Sequence, residues 1–149
     1  MKLRIYLDTS VFSAYFDERA PERRELTQQF WNRLPEFDVG TSEVAWEELS
    51  RTTDLGRRAE LLGLLSGVAV HSLTEEIRAL GRRYIDAHVF APTSVNDALH
   101  VAVAVLTRHD ILASWNFRHL VNRQRRARIN EVNVLANVPT IEILAPPEI

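Results

Sequence analysis

The chain has 149 residues, 46% of them apolar, which is enough for one well-packed domain without a second. A net charge of −2 excludes a uniformly basic nucleic-acid binder, and the absence of cysteine excludes disulfides, thiolate metal sites and thiol catalysis. No apolar run approaches a membrane span and the first residues lack a signal-peptide pattern, so a cytoplasmic protein with no membrane contact is expected.

Residues 3–8 (LRIYLD) read as a first strand that ends on Asp8. After Ser10, taken as an N-cap, residues 11–18 read as a short helix. Residues 22–34 carry Leu26, Phe30, Trp31 and Leu34 at helical spacing, and Pro35 ends that helix. Residues 37–42 (FDVGTS) make a second strand, and Ser42 caps a helix through about residue 52. Another helix spans 56–65 and a strand 67–73, after which Thr74, Ile77, Leu80, Tyr84 and Ile85 mark an amphipathic helix. Pro92 breaks the chain before residues 95–107, apolar almost all round and therefore buried on most sides. Residues 110–116 (DILASWN) form a strand and turn, an Arg-rich helix follows, and residues 140–146 (TIEILAP) close with a last strand. Strands alternating with helices predict an α/β fold, a parallel sheet with helices on both faces. Ligands of such sheets bind beyond the carboxyl ends of the strands, where Asp8 lies.

Other acids are candidates to join Asp8. In residues 42–50 (SEVAWEELS), Val44, Ala45 and Leu49 define an apolar stripe on which Glu48 falls; Glu47 and Glu43 share another face. An inward carboxylate needs a partner, either an arginine or a metal. Asp97 opens the buried helix, where Ser94-x-x-Asp97 also matches a capping box, so backbone capping and metal binding are both open for it. His100, one turn later, reads as a core histidine. Asn116 follows the strand at 111–114, on the same sheet edge as Asp8; it is either a ligand or an ordinary turn residue. Asp110 begins that strand and stands roughly 15–20 Å away. Acids drawn together repel unless a cation offsets them, and oxygen-only ligands suit Mg²⁺ or Mn²⁺. Arg118, Arg123, Arg125, Arg126 and Arg128 form either a solvated helix face or a phosphate-binding patch.

In residues 6–12 (YLDTSVF), 42–49 (SEVAWEEL), 97–104 (DALHVAVA) and 111–122 (ILASWNFRHLVN), the chain resembles the PIN-domain ribonucleases, VapC-type toxins of toxin–antitoxin pairs in particular. The segments INEVN (129–133) and IEILAPPEI (141–149) are similar to one subgroup that shares the SWNF-H-VN signature. The resemblance spans essentially all of residues 1–149 and implies a single PIN domain, a three-layer Rossmann-like fold with about five strands. It implies a Mg²⁺- or Mn²⁺-dependent endoribonuclease whose metal ligands are Asp8, Glu48 and Asp97, with Asn116 where many relatives have a fourth acid. Thr9, Ser10, Arg118 and Arg123 become candidates for contact with the RNA substrate, and a cognate antitoxin and a homodimer become expected partners. Trp31, Trp46 and Phe90 are candidates for an interface as well as for the core. A haloacid-dehalogenase phosphatase is disfavoured because Ser10 stands where its second acid is needed, and no glycine-rich turn supports nucleotide binding. The alternative is a catalytically weak or inactive PIN-like module that binds RNA or protein.

Overall fold

The structure is a computed structural model that describes all 149 residues. Five strands, β1 (Arg4–Leu7), β2 (Asp38–Ser42), β3 (Ala69–His71), β4 (Ile111–Ala113) and β5 (Glu142–Leu144), form one sheet in the order β3-β2-β1-β4-β5. Every pairing is parallel, with Ile5 opposite both Val39 and Ile111. Parallel neighbours need crossovers, and the seven helices supply them: α1 (Thr9–Ser13), α2 (Pro21–Asn32), α3 (Glu43–Ser50), α4 (Leu55–Leu65), α5 (Glu75–Asp86), α6 (Val95–Leu106) and α7 (Arg123–Leu135). The chain steps outward from β1 to β2 and β3, then returns across β1 to reach β4 and β5. Strand order therefore reverses between β1 and β4, and ligands of such sheets bind beyond the carboxyl ends of the strands at that point.

Ile5, Tyr6 and Leu7 of β1 and Leu112 and Ala113 of β4 are wholly buried, as expected of central strands covered on both faces. In α6, Ala98 through Val105 are all buried, which explains a sequence apolar all round. Each large apolar side chain so buried stabilises the fold by roughly 1.5–3 kcal/mol. At Gly81 of α5 an added Cβ would lie 3.2 Å from Leu99 Cδ2 of α6, so the lack of a side chain allows that close approach. Phe90 belongs to the core, Trp31 packs partly buried against Phe12, and Trp46 is half exposed. No helix is long and apolar enough to cross a membrane.

Several local expectations are revised. Asp8, not Ser10, caps α1, because its carboxylate takes the Ser10 amide and turns the chain two residues earlier. That helix also ends at Ser13 and tightens into a 3-10 turn, Ala14–Phe16. The last three strands are only three residues each, shorter than the apolar runs that contain them. The polar helix α7 is held by side-chain amides: Asn130 makes two 2.9 Å bonds with the Ile141 backbone, and buried Asn133 accepts the Tyr84 hydroxyl at 2.5 Å. These bonds account for the INEVN segment structurally.

Candidate active site

At the carboxyl ends of β1 and β4, Asp8 is 4% exposed. Its Oδ1 accepts from the Ser10 amide (3.0 Å) and hydroxyl (2.5 Å), and its Oδ2 from the Ser114 hydroxyl (2.5 Å). Ser10 Oγ accepts from the Trp115 amide at 2.8 Å, and Ser114 Oγ from the Asn116 amide at 2.9 Å. Two serines thus stitch the ends of β1 and β4 together beneath one carboxylate. Burial pushes the Asp8 carboxyl up, against the pull of His100 and the serine hydrogen bonds.

Glu48 approaches from α3. Ser42 caps that helix by accepting the Val44 amide, Val44, Ala45 and Leu49 are buried, and the same face turns Glu48 inward while Glu47 is exposed. Glu48 Oε1 accepts from Thr9 Oγ1 at 2.6 Å and lies 2.8 Å from His100 Nε2. His100, 2% exposed, also lies 2.6 Å from the Tyr6 hydroxyl through Nδ1, and that hydroxyl is 2.7 Å from Ser42 Oγ. Ser42, Tyr6, His100 and Glu48 are thus joined in one continuous row of hydrogen bonds. Burial raises the Glu48 carboxyl, but the hydrogen bond and charge of His100, with Thr9 and Asn96, hold it below its ordinary range.

Asp97, in the first turn of α6, makes no hydrogen bond within the protein, and Ser94 caps nothing. Ser94 sits at φ −103°, ψ 36°, outside the extended conformation a capping side chain needs, so the capping box is not formed. Asp97 and Glu48 share a cavity of about 360 Å³ with Thr93, Ser94, Val95 and Asn96. Burial pushes the Asp97 carboxyl up, His100, His119 and Arg125 pull it down, and Glu48 adds to the rise.

His100 touches Glu48 directly, and its charge also pulls down the carboxyls of Asp8 and Asp97. They do not form a finished cage: no three acidic or histidine side chains stand close enough to hold an ion as placed, and Asp8 does not line the cavity of the other two. Their chemistry suits a hard divalent cation, because all donors are oxygens and the Asp97 carboxylate lacks a protein partner. Asn116 Oδ1 accepts from the His119 amide at 2.9 Å and so caps the turn after β4. Ser10, a candidate substrate contact, donates its hydroxyl to Asp8 and accepts the Trp115 amide.

Arg118, Arg125 and Arg128 line a groove of about 500 Å³ with Phe117, Asn122 and Gln124; Arg123 is exposed outside it. The charge of Arg125 helps pull the Asp97 carboxyl down, and Asp97 in turn pushes the Arg125 guanidinium up against its burial. A larger cavity, about 780 Å³, opens around Asp110 at the other end of the strands and contains none of these residues. Sequence reasoning missed Tyr6, Ser42 and Ser114 and undervalued His100. The one signal for His100 was its place a turn after Asp97.

The PIN domain family model matches residues 5–118. VapBC-1 from nontypeable Haemophilus influenzae superposes with a TM-score of 0.63 at 16% identity, covering 97% of this chain and 99% of that one. VapBC2 from Rickettsia felis, bound to a DNA fragment from its promoter, gives 0.62 at 10% identity over 96% and 98%. VapC20 of Mycobacterium tuberculosis, a toxin that cleaves the sarcin–ricin loop, gives 0.57 at 20% identity over 72% and 86%. At these identities the likeness is one of fold. No curated protein matches.

Proposed function

The chain belongs to the PIN-domain family, and from that premise we propose that it is a Mg²⁺- or Mn²⁺-dependent endoribonuclease, the toxin of a toxin–antitoxin pair. The observation that carries this reading is the pair Glu48 and Asp97, which share a cavity beside the switch point while Asp97 lacks any protein partner. An acid left half-buried without a partner is costly unless something binds it. Asp97, Glu48 and Asp8 would hold the cation, which when bound supplies Lewis-acid polarisation of a phosphodiester and a more acidic water.

The remaining work falls to the chain itself. Thr9 and His100 fix Glu48 Oε1, so the carboxylate keeps one orientation without reorganising during reaction. Ser10 and Ser114 fix Asp8, and Arg118 and Arg125 offer positive charge to the RNA backbone. Family resemblance implies products with 5′-phosphate and 3′-hydroxyl ends. Relatives of this fold are solved as VapBC toxin–antitoxin complexes, which supports a cognate antitoxin as partner.

The loose spacing of the acids favours a second reading, a PIN-like module that binds RNA without cutting it. Incubation with mixed RNA, with Mg²⁺, Mn²⁺ or EDTA, separates the two. The nuclease reading expects cleavage that stops with EDTA and falls to background in Asp8→Asn and Asp97→Asn while both variants melt near the wild type. Metal-independent cleavage, or cleavage that survives both substitutions, would overturn it.

A further inference from the structure

The loop after β4 presents an aromatic ring to solvent. Phe117 is 47% exposed, yet it sits on a tightly held turn. The Asn116 carbonyl accepts from the Leu120 and Val121 amides (3.0 and 2.8 Å), and Asn116 Oδ1 from the His119 amide. Asn122 Nδ2 donates to the Phe117 and Arg118 carbonyls (3.0 and 3.1 Å), while its Oδ1 accepts from the Arg125 amide at 2.8 Å and so joins the loop to α7. The Phe117 ring meets buried Trp115 edge-on, with centroids 6.1 Å apart. Such a ring is placed before any ligand arrives, which lowers the ordering cost of binding.

The neighbouring arginines divide into two groups. Arg126 donates to the Ile143 carbonyl and Arg128 to the His88 carbonyl, so both are tied to the scaffold. The Arg118 side chain makes no hydrogen bond, and Arg125 lies over the Phe90 ring at 5.0 Å with its donors free. We propose that this groove is a nucleotide subsite, in which Phe117 stacks an unpaired nucleobase and Arg118 with Arg125 hold the adjoining phosphate. A flat apolar face beside free guanidinium groups matches both halves of a nucleotide. Paired bases in a duplex keep their faces covered, so the site selects single-stranded RNA or a loop. The subsite rests on the nuclease reading for its purpose, and its test is independent of cleavage.

A single-stranded, 2′-O-methylated oligonucleotide carrying 2-aminopurine is titrated with protein in EDTA, and binding and fluorescence quenching are read together. Wild type quenches the probe. Phe117→Ala abolishes quenching and weakens binding by roughly 5- to 150-fold without altering the salt dependence. Phe117→Trp restores affinity, and Arg118→Gln lowers the slope of log K against log salt by about one unit. On cleavable RNA, Phe117→Ala raises KM and leaves kcat near wild type. A Phe117→Ala variant that binds and quenches like wild type overturns the subsite and assigns the ring to a protein contact. Cleavage with an indifferent Phe117 sinks only the subsite, whereas probe binding without any metal-dependent cleavage sinks only the nuclease reading.

Discussion

At the scale of single residues, the site is decided by who holds each carboxylate. Glu48 is oriented by Thr9 and by a histidine whose far nitrogen is braced by Tyr6. Outer partners of this kind typically contribute 10- to 100-fold to metal affinity. His100→Leu is therefore expected to weaken Mn²⁺ binding, read by electron paramagnetic resonance, by about that factor. His100→Gln should recover part of it, because a Gln amide can still donate to Glu48. Mn²⁺ affinity equal to that of the wild type in both variants would reduce His100 to a packing residue. Glu48→Ala should abolish cleavage while Glu47→Ala, on the exposed face, should not. The inward turn of Glu48 was legible in sequence because helix phase is local: it lies four residues after Val44 and three after Ala45. The partners of His100 were not, since Tyr6 and Glu48 lie 94 and 52 residues away.

At the scale of elements, β2 shows how a strand accommodates its neighbours. An added Cβ at Gly40 would come 2.8 Å from His109 Nε2 and 3.1 Å from His71 Nε2. The His109 ring cannot swing aside freely, for it is bonded to Thr107 Oγ1 at 2.7 Å and packed edge-on against Tyr6. Gly40→Ala should lower stability by about 1–3 kcal/mol in urea melts, and the loss should shrink in a His109→Ala background. Equal losses in both backgrounds would place the strain elsewhere. Sequence alone marked Gly40 only as one glycine in a short strand, because the two imidazoles reach it from β3 and from the turn before β4. The same limit applied to α6, whose Ser-x-x-Asp start looks like a capping box. The 3-10 turn Pro92–Ser94 feeding α6 leaves Ser94 in the wrong conformation to cap, and Asp97 stays available.

At the scale of the whole molecule, buried ionisable groups set the response to acid. Burial pushes His109 down to about 4, with the charge of Arg4 and the neighbouring His71 helping and Asp38 opposing. Its folded-state value lies below the unfolded one, near 6.5, so between those limits the unfolded chain binds more protons. Stability from this group is complete above pH 6.5 and is lost as pH falls towards 4, by about 3 kcal/mol in all. His71, also held down chiefly by burial, acts in the same direction. Asp8 and Asp97, both raised chiefly by burial, act in the opposite direction over acid pH. The His109 contribution is thus read as the difference between wild type and His109→Gln. Their stability gap should narrow by about 3 kcal/mol between pH 7 and pH 4, and a gap independent of pH would show that His109 does not carry it.

What residue order determined by itself was local or periodic: the alternation of strands and helices, the all-apolar α6, the inward phase of Glu48, and a carboxylate ending β1. These follow from repeats of two and 3.6 residues and from side-chain chemistry that acts within a turn. Tertiary structure alone decided that β4 returns beside β1, that two serines clasp Asp8 there, and that one histidine bridges Tyr6 and Glu48. Those contacts join residues tens of positions apart, and only packing of the sheet and its helices brings them within hydrogen-bond reach.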